Sequence, residues 1–167
     1  MSMEPLQPKT CAAVLAIAQW QEGVLESPAG SNCVKYNTAY YGQRVRGGAY
    51  PWCVAFVWWV FREAGFNLYK TASCTALVDR YKAFSPSQLV RENYRPGDIV
   101  FFDFAGKRKK TEHCGIVLSV DGDILTTIEG NTGPASAANG GAVMRRTRAA
   151  HLATCAIRPA YTDQPAA

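Results

Sequence analysis

Cys53 follows Pro51 and Trp52 at the start of an apolar run, WCVAFVWWVFREAG, and that position gives its thiol a specific chemistry. The first turn of a helix carries unpaired backbone N–H groups, and the helix macrodipole favours negative charge there. A thiol so placed ionises more readily, and the same N–H groups can receive the oxyanion of a tetrahedral intermediate. The plainer alternative is a small core residue beside Trp52, since buried cysteines are commonly only that. A thiolate nucleophile also needs a base that holds it as an ion pair and later protonates the leaving group. The chain has two histidines. His151, within AAHLATC, reads as a surface or loop residue, whereas His113 opens the strand-like run HCGIVLSV after a polar loop. Gly115 leaves open space beside the imidazole on its own strand face. Cys53 with His113 is the expected nucleophile and base.

Strand parity extends the pair. HCGIVLSV and ILTTIE are joined by a turn near Asp121 and Gly122, and side chains that meet across such a hairpin share a face. With Asp121 and Gly122 as a two-residue turn, Val120 faces Asp123 and His113 lies opposite Gly130, leaving Glu129 on the other face. With Val120, Asp121 and Gly122 as a three-residue loop, Gly122 left-handed in a G1 bulge, Ser119 faces Asp123. His113 then lies opposite Glu129, Asn131 points the same way, and Cys114, Ile116, Leu118, Ile124 and Ile128 share an apolar face. The three-residue loop is the expectation. It lets Glu129 accept from one imidazole nitrogen while the other faces Cys53, with Asn131 sharing or replacing that role. Taken singly, Glu129 reads as an exposed strand-end carboxylate and Asn131 as a turn residue of EGNTG. Their parity with His113 is what marks them as site residues.

The elements that must position these groups are readable from periodicity. Val14, Ile17, Ala18 and Leu25 fall on one helical face with Thr10 as N-cap, and the pattern breaks at Pro28 and Gly30. Residues 34–50 read as an aromatic loop, in which Tyr36, Tyr40, Tyr41 and Tyr50, together with Trp52, are candidates for a substrate-facing groove wall. The helix after Pro51 is apolar on every side, which places it at the centre of its domain, with Gly65 as its stop. An amphipathic helix follows from about Ser73 to Ala83, with Leu77 and Tyr81 inward. From a turn at Pro96–Asp98 onward the period is that of strands: IVFFDF, HCGIVLSV, ILTTIE, and two more at 142–147 and 154–158. Helices first and an antiparallel meander after them make an α+β domain.

Composition narrows the classes. The chain of 167 residues is expected to form one domain over 1–167, with its core at about 10–160. The early apolar run Ala12–Ala18 is too short to span a membrane, and the N-terminal MSMEPLQPKT lacks the features of a signal peptide, so synthesis in the cytoplasm is expected. The six cysteines are expected to be reduced, and none has the CxxC spacing of a zinc or redox motif, so no metal and no cofactor are expected. A net charge of +5 suits an anionic partner. The run Lys107–Lys110 is read as a solvated loop beside the groove that attracts anionic wall polymer, in preference to a nucleic-acid contact. The chain is expected to be monomeric.

At PWCVAFVWWVFREAG, RPGDIVFFDF, HCGIVLSV and IEGNT, in that order, the sequence resembles the CHAP family of cysteine, histidine-dependent amidohydrolases and peptidases. That family lies within the NlpC/P60-like, papain-like group, and the likeness spans roughly residues 10–160. The segment ESPAGSNCVKYNTAYYG resembles phage and prophage endolysin members. The resemblance implies a papain-like fold and hydrolysis of a peptidoglycan amide, either at the lactyl–L-alanine bond or within the stem peptide and cross-bridge. It also implies action at the bacterial cell wall after release during phage lysis. Carried over residue by residue, Cys53 is nucleophile, His113 base and then acid, and Glu129 with Asn131 orient the ring. Some relatives bind calcium through acidic loops upstream of the nucleophile; no Asp or Glu lies between Glu26 and Glu63 here, so no such site is expected. A cysteine peptidase, deamidase or transferase on another substrate shares this scaffold, and a basic nucleic-acid-binding module is the rival from outside enzymology.

Overall fold

The computed structural model of the protein describes residues 6–164, so the expected domain span of 1–167 extends past the described residues at both ends. Helix α1 (Cys11–Trp20) begins at Thr10, whose hydroxyl oxygen accepts from the Ala13 N–H at 3.1 Å, as the sequence predicts. Val14, Ile17 and Ala18 are buried, but the helix closes at Gln21, so Leu25 is not on it. Leu25 instead bridges to Ala142 with its side chain largely exposed.

Helix α2 (Lys35–Tyr41) occupies part of the expected aromatic loop. Its cause is tertiary. Tyr36 is fully buried, its ring 5.6 Å from Trp52 and edge-on to Phe56 at 5.1 Å, and its hydroxyl donates to Gln21 Oε1. Gly42, at φ 72°, ends the helix, and the glycine-rich stretch starts only there. Helix α3 (Cys53–Glu63) is buried from Cys53 through Trp58 and again at Val60 and Phe61, which is the central position its apolar sequence demands. Helix α4 (Cys74–Phe84) starts at Ser73, whose hydroxyl accepts from Ala76 N–H, and it turns Leu77 into the core with Tyr81 half-buried.

The strands are β1 (Leu89–Val90), β2 (Ile99–Phe102), β3 (His113–Asp121), β4 (Ile124–Thr132), β5 (Ala142–Ala149) and β6 (Ala153–Ile157). They form one antiparallel sheet in the order β1-β6-β2-β3-β4-β5. The meander expected from sequence holds for β2 to β5, but β6 crosses back to lie between β1 and β2. The helices cover one sheet face, where Cys114, Ile116 and Ile128 join the main core. Val100, Phe102, Val117, Leu125, Ala153 and Ala156 form a smaller cluster of their own. Among the described residues no helix is long and apolar enough to cross a membrane.

The β3–β4 hairpin differs from both expected forms. Asp121 pairs with Ile124 across a two-residue turn, Gly122 and Asp123, with Gly122 at φ 55°. The ladder then slips between Val117 and Ser119, leaving Leu118 in a bulge, and beyond it Ile116 pairs with Ile128. The three-residue loop is therefore absent, and the bulge restores the parity that the turn alone would have broken. Ile124, expected on the apolar face, sits at the tip and is 42% exposed.

Helix α3 lies directly on β4 at Gly130, where an added Cβ would stand 2.6 Å from Phe56 Cβ and 2.9 Å from Trp52. Glycine is what allows this close approach of backbone to helix. Gly130→Ala is expected to lower stability by about 1–3 kcal/mol through overpacking, read from the denaturant midpoint. Gly48→Ala, where a Cβ would meet nothing within 4 Å, is the neutral comparison.

Candidate active site

Cys53 is the first residue of α3, and no side chain caps that helix start, so its first-turn N–H groups are not claimed by a side-chain acceptor. Cys53 retains 7% of its surface exposed, whereas His113 is fully buried at the start of β3. His113 Nε2 lies 2.8 Å from Glu129 Oε2. Its Nδ1 is buried without a hydrogen-bond partner.

Glu129 is fully buried and fully engaged. Thr127 Oγ1 donates to Oε1 at 2.6 Å, and Arg148 forks onto both oxygens, Nε to Oε1 at 2.9 Å and Nη2 to Oε2 at 2.6 Å. The Arg148 guanidinium lies over the Phe104 ring at 4.8 Å. Burial acts to raise Glu129's pKa, but the Arg148 and His113 contacts outweigh it and hold the carboxyl below its usual range. Burial likewise opposes a charged His113, yet its contacts with Cys53 and Glu129 prevail and raise it to about 9. Cys53 is pushed well below the ordinary thiol range, first by contacts with the Cys114 and Cys74 thiols and then, against burial, by His113. The arrangement favours a thiolate–imidazolium pair with the imidazole ring locked by a carboxylate.

The ladder gives Glu129 its place by a different route from the expected one. Continued past Ile116 and Ile128, it sets Glu129 opposite Gly115 and diagonal to His113, on the same face. An added Cβ at Gly115 would stand 2.5 Å from Glu129 Cγ, so the space beside the imidazole is filled by the carboxylate itself. Asn131 is buried at φ 56° in a register shift between β4 and β5. Its Nδ2 donates to Ala138 O at 3.4 Å, its Oδ1 has no partner, and no hydrogen bond joins it to His113.

The aromatic candidates divide. Tyr36 and Trp52 are fully buried in the core and face no solvent, which corrects their assignment to a groove wall. Tyr40, Tyr41 and Tyr50 are half-buried in a chain of edge-on contacts, Tyr40–Tyr41 at 4.8 Å and Tyr41–Tyr50 at 5.1 Å. The basic run Lys107–Lys110 is exposed, as expected of a solvated loop. Asp103 shapes it by accepting from the N–H groups of Ala105, Lys109 and Lys110, while Arg108 Nε donates to Ala153 O. Arg108, Lys109 and Lys110 line a cleft together with Thr75 and Lys82.

Sequence reasoning missed Arg148, Thr127 and the thiol neighbours of Cys53. Thr127 had a signal, since it shares a strand face with Glu129. Arg148 had little, because three arginines of MRRTR look alike and only the buried one reaches Glu129. Cys74 and Cys114 lack any short spacing to Cys53, yet the fold brings all three sulfurs within 4.8 Å of one another.

A helix-start cysteine packed on an antiparallel sheet whose strands carry a buried His–Glu pair defines a papain-like α+β protein. The CHAP domain model matches residues 45–131, more than half of the chain and the span that holds Cys53, His113, Glu129 and Asn131; the chain belongs to that family. Among solved structures it is similar to the endolysin LysIME-EF1 at 13% identity and a TM-score of 0.59, covering 92% of this chain and 66% of that one. It is also similar to Ly7917 at 18% identity and a TM-score of 0.52, covering 90% of this chain and 62% of that one. The chain thus spans less than two thirds of these structures' length. No curated protein matches it.

Alkylation resolved by mass spectrometry checks the thiol ordering. Burial, with Asp163 nearby, raises Cys11 to about 11, and burial raises Cys155, whereas Cys53 is lowered. Near neutral pH Cys53 is expected to react at least about tenfold faster than either, and His113→Ala should narrow that gap.

Proposed function

We propose that this protein is a peptidoglycan hydrolase that cuts an amide bond through a thioester on Cys53. The observation that carries the reading is the buried Glu129–His113 pair, fixed through Nε2 so that Nδ1 is left for the thiol of Cys53. The Cys53 thiolate attacks the amide carbonyl carbon, and the first-turn N–H groups of α3 receive the developing oxyanion. His113 then passes its proton to the leaving amine, the C–N bond breaks, and a thioester remains. Water, deprotonated by the now neutral imidazole, attacks the thioester and releases the acid with the thiol restored. Glu129 orients the ring and stabilises its cationic form; Arg148 and Thr127 hold Glu129. Asn131 makes no hydrogen bond to the ring that would give it the same part.

Membership of the CHAP family and the likeness to endolysin structures support a wall substrate, and Ly7917 has been solved "with the hydrolyzing product of MDP". The bond is the lactyl–L-alanine amide or one within the stem peptide and cross-bridge. The cleft lined by Lys82, Arg91, Arg108, Lys109 and Lys110 suits an anionic wall polymer, and action at the wall after release fits the phage-lysin likeness.

Incubation with purified sacculi, followed by identification of newly exposed amino groups, tests the reading. The protein should release new amine and Cys53→Ala should release none; wild-type release unaffected by Cys53→Ala, or none from any wall type, contradicts it. Because His113 is raised to about 9, kcat/KM should hold through neutral pH and fall as pH rises through that value, where the ring loses the proton owed to the leaving amine.

A further inference from the structure

Three elements far apart in sequence converge on one point: the start of α3 brings Cys53, the start of α4 brings Cys74 and β3 brings Cys114. All three are free thiols and all are buried. Cys53 Sγ and Cys74 Sγ are 3.9 Å apart, and the three sulfurs lie within 4.8 Å of one another. A tetrahedral zinc centre with Zn–S bonds of about 2.3 Å has S–S edges of about 3.8 Å. The sulfurs therefore stand close to the spacing such an ion requires, with little movement needed. His113 interacts with Cys53, and its Nδ1 is buried without a partner. It can hold the water that fills a fourth position. Its Nε2 is already bound to Glu129, the carboxylate–histidine arrangement that supports metal sites.

We propose that Cys53, Cys74 and Cys114 form a thiolate site for a soft divalent cation of the Zn²⁺ type, and that occupancy reversibly blocks the nucleophile. The site follows from the sulfur geometry; the block rests on the reading of Cys53 as nucleophile. Binding displaces the remaining S–H protons to solvent and forms three metal–sulfur bonds, with no change of oxidation state. Cys53 Sγ then has its lone pair committed to the metal and cannot attack a carbonyl.

The test titrates the full reduced chain with Co²⁺ under anaerobic conditions in a phosphine reductant. One equivalent should produce the intense near-ultraviolet thiolate-to-metal band and tetrahedral visible bands, and Zn²⁺ should displace it. Cys74→Ala and Cys114→Ala, each checked for folding by circular dichroism, should weaken binding by more than the roughly 10–100-fold typical of losing an outer-shell partner. Cys33→Ala, at a thiol bonded to Arg44, should leave the spectrum unchanged. If a variant fails to fold, the band intensity of the wild-type chain still reports the number of thiolates. Release of amine from sacculi should fall with one equivalent of Zn²⁺ and return with chelator, each variant compared with its own metal-free rate. No thiolate band, or a band unchanged in both Cys74→Ala and Cys114→Ala, overturns the site. A thiolate band in a chain that never releases amine upholds the site and refutes the hydrolase reading instead. Turnover indifferent to a fully bound metal overturns the block.

Discussion

A carboxylate with no access to water organises this molecule. Glu129 accepts from His113, Thr127 and both arms of Arg148, and every one of these partners is itself buried or nearly so. An uncompensated charge in that position would cost several kcal/mol, and removing a single partner from such a cluster is typically destabilising by about 3–5 kcal/mol. The cluster is stable only if β3, β4 and β5 hold their registers together, because His113, Glu129 and Arg148 come one from each strand. Chemistry and sheet assembly are thus the same constraint. With every Glu129 oxygen engaged, a buried network of this kind resists reorganisation, which holds the imidazole in one orientation through its Nε2.

Two glycines on adjacent strands make the geometry possible, one on each sheet face. Gly115 admits the Glu129 side chain on the imidazole's face, and Gly130 lets α3 settle against β4 on the other. Had either carried a Cβ, the carboxylate would be displaced along the strand or the helix start would be lifted from the sheet. Cys53 and His113 are thus positioned through opposite faces of one strand pair. Cys114, the residue after His113, turns toward the helices with its sulfur within 4.8 Å of Cys53 Sγ, which sets the strand against the helix start.

Much of the fold was legible because the strongest sequence signals are one-dimensional periods. The all-round apolar helix after Pro51, the Thr10 cap, the amphipathic helix from about Ser73 and the strands of the second half follow from patterns read locally. The short helix α2 was not legible: its residues favour a helix only because Tyr36 finds a pocket between Trp52, Phe56 and Trp59, and that pocket is tertiary. The same burial explains why Tyr36 and Trp52 looked like surface aromatics and are not. Parity placed Glu129 on the imidazole's face, yet by a mechanism the sequence did not display. A tight turn at Gly122 and Asp123 combined with a bulge at Leu118 moves the partner of His113 along the strand without changing its face. Arg148 and the sulfur cluster were hidden for a different reason, since both arise from contacts between residues more than 15 positions apart whose types carry no spacing rule.

The central claim is that Cys53 and His113 exist as a thiolate–imidazolium pair in the resting protein. Nitrogen-15 NMR of the histidine rings addresses it directly, and with two histidines in the chain a His151→Gln variant isolates the signal of interest. His113 is expected to carry protons on both nitrogens at neutral pH and to lose one only as pH approaches about 9, and Cys53→Ala should move this titration downward. A His113 ring that is already neutral at neutral pH, or one whose titration is unchanged by Cys53→Ala, would contradict it.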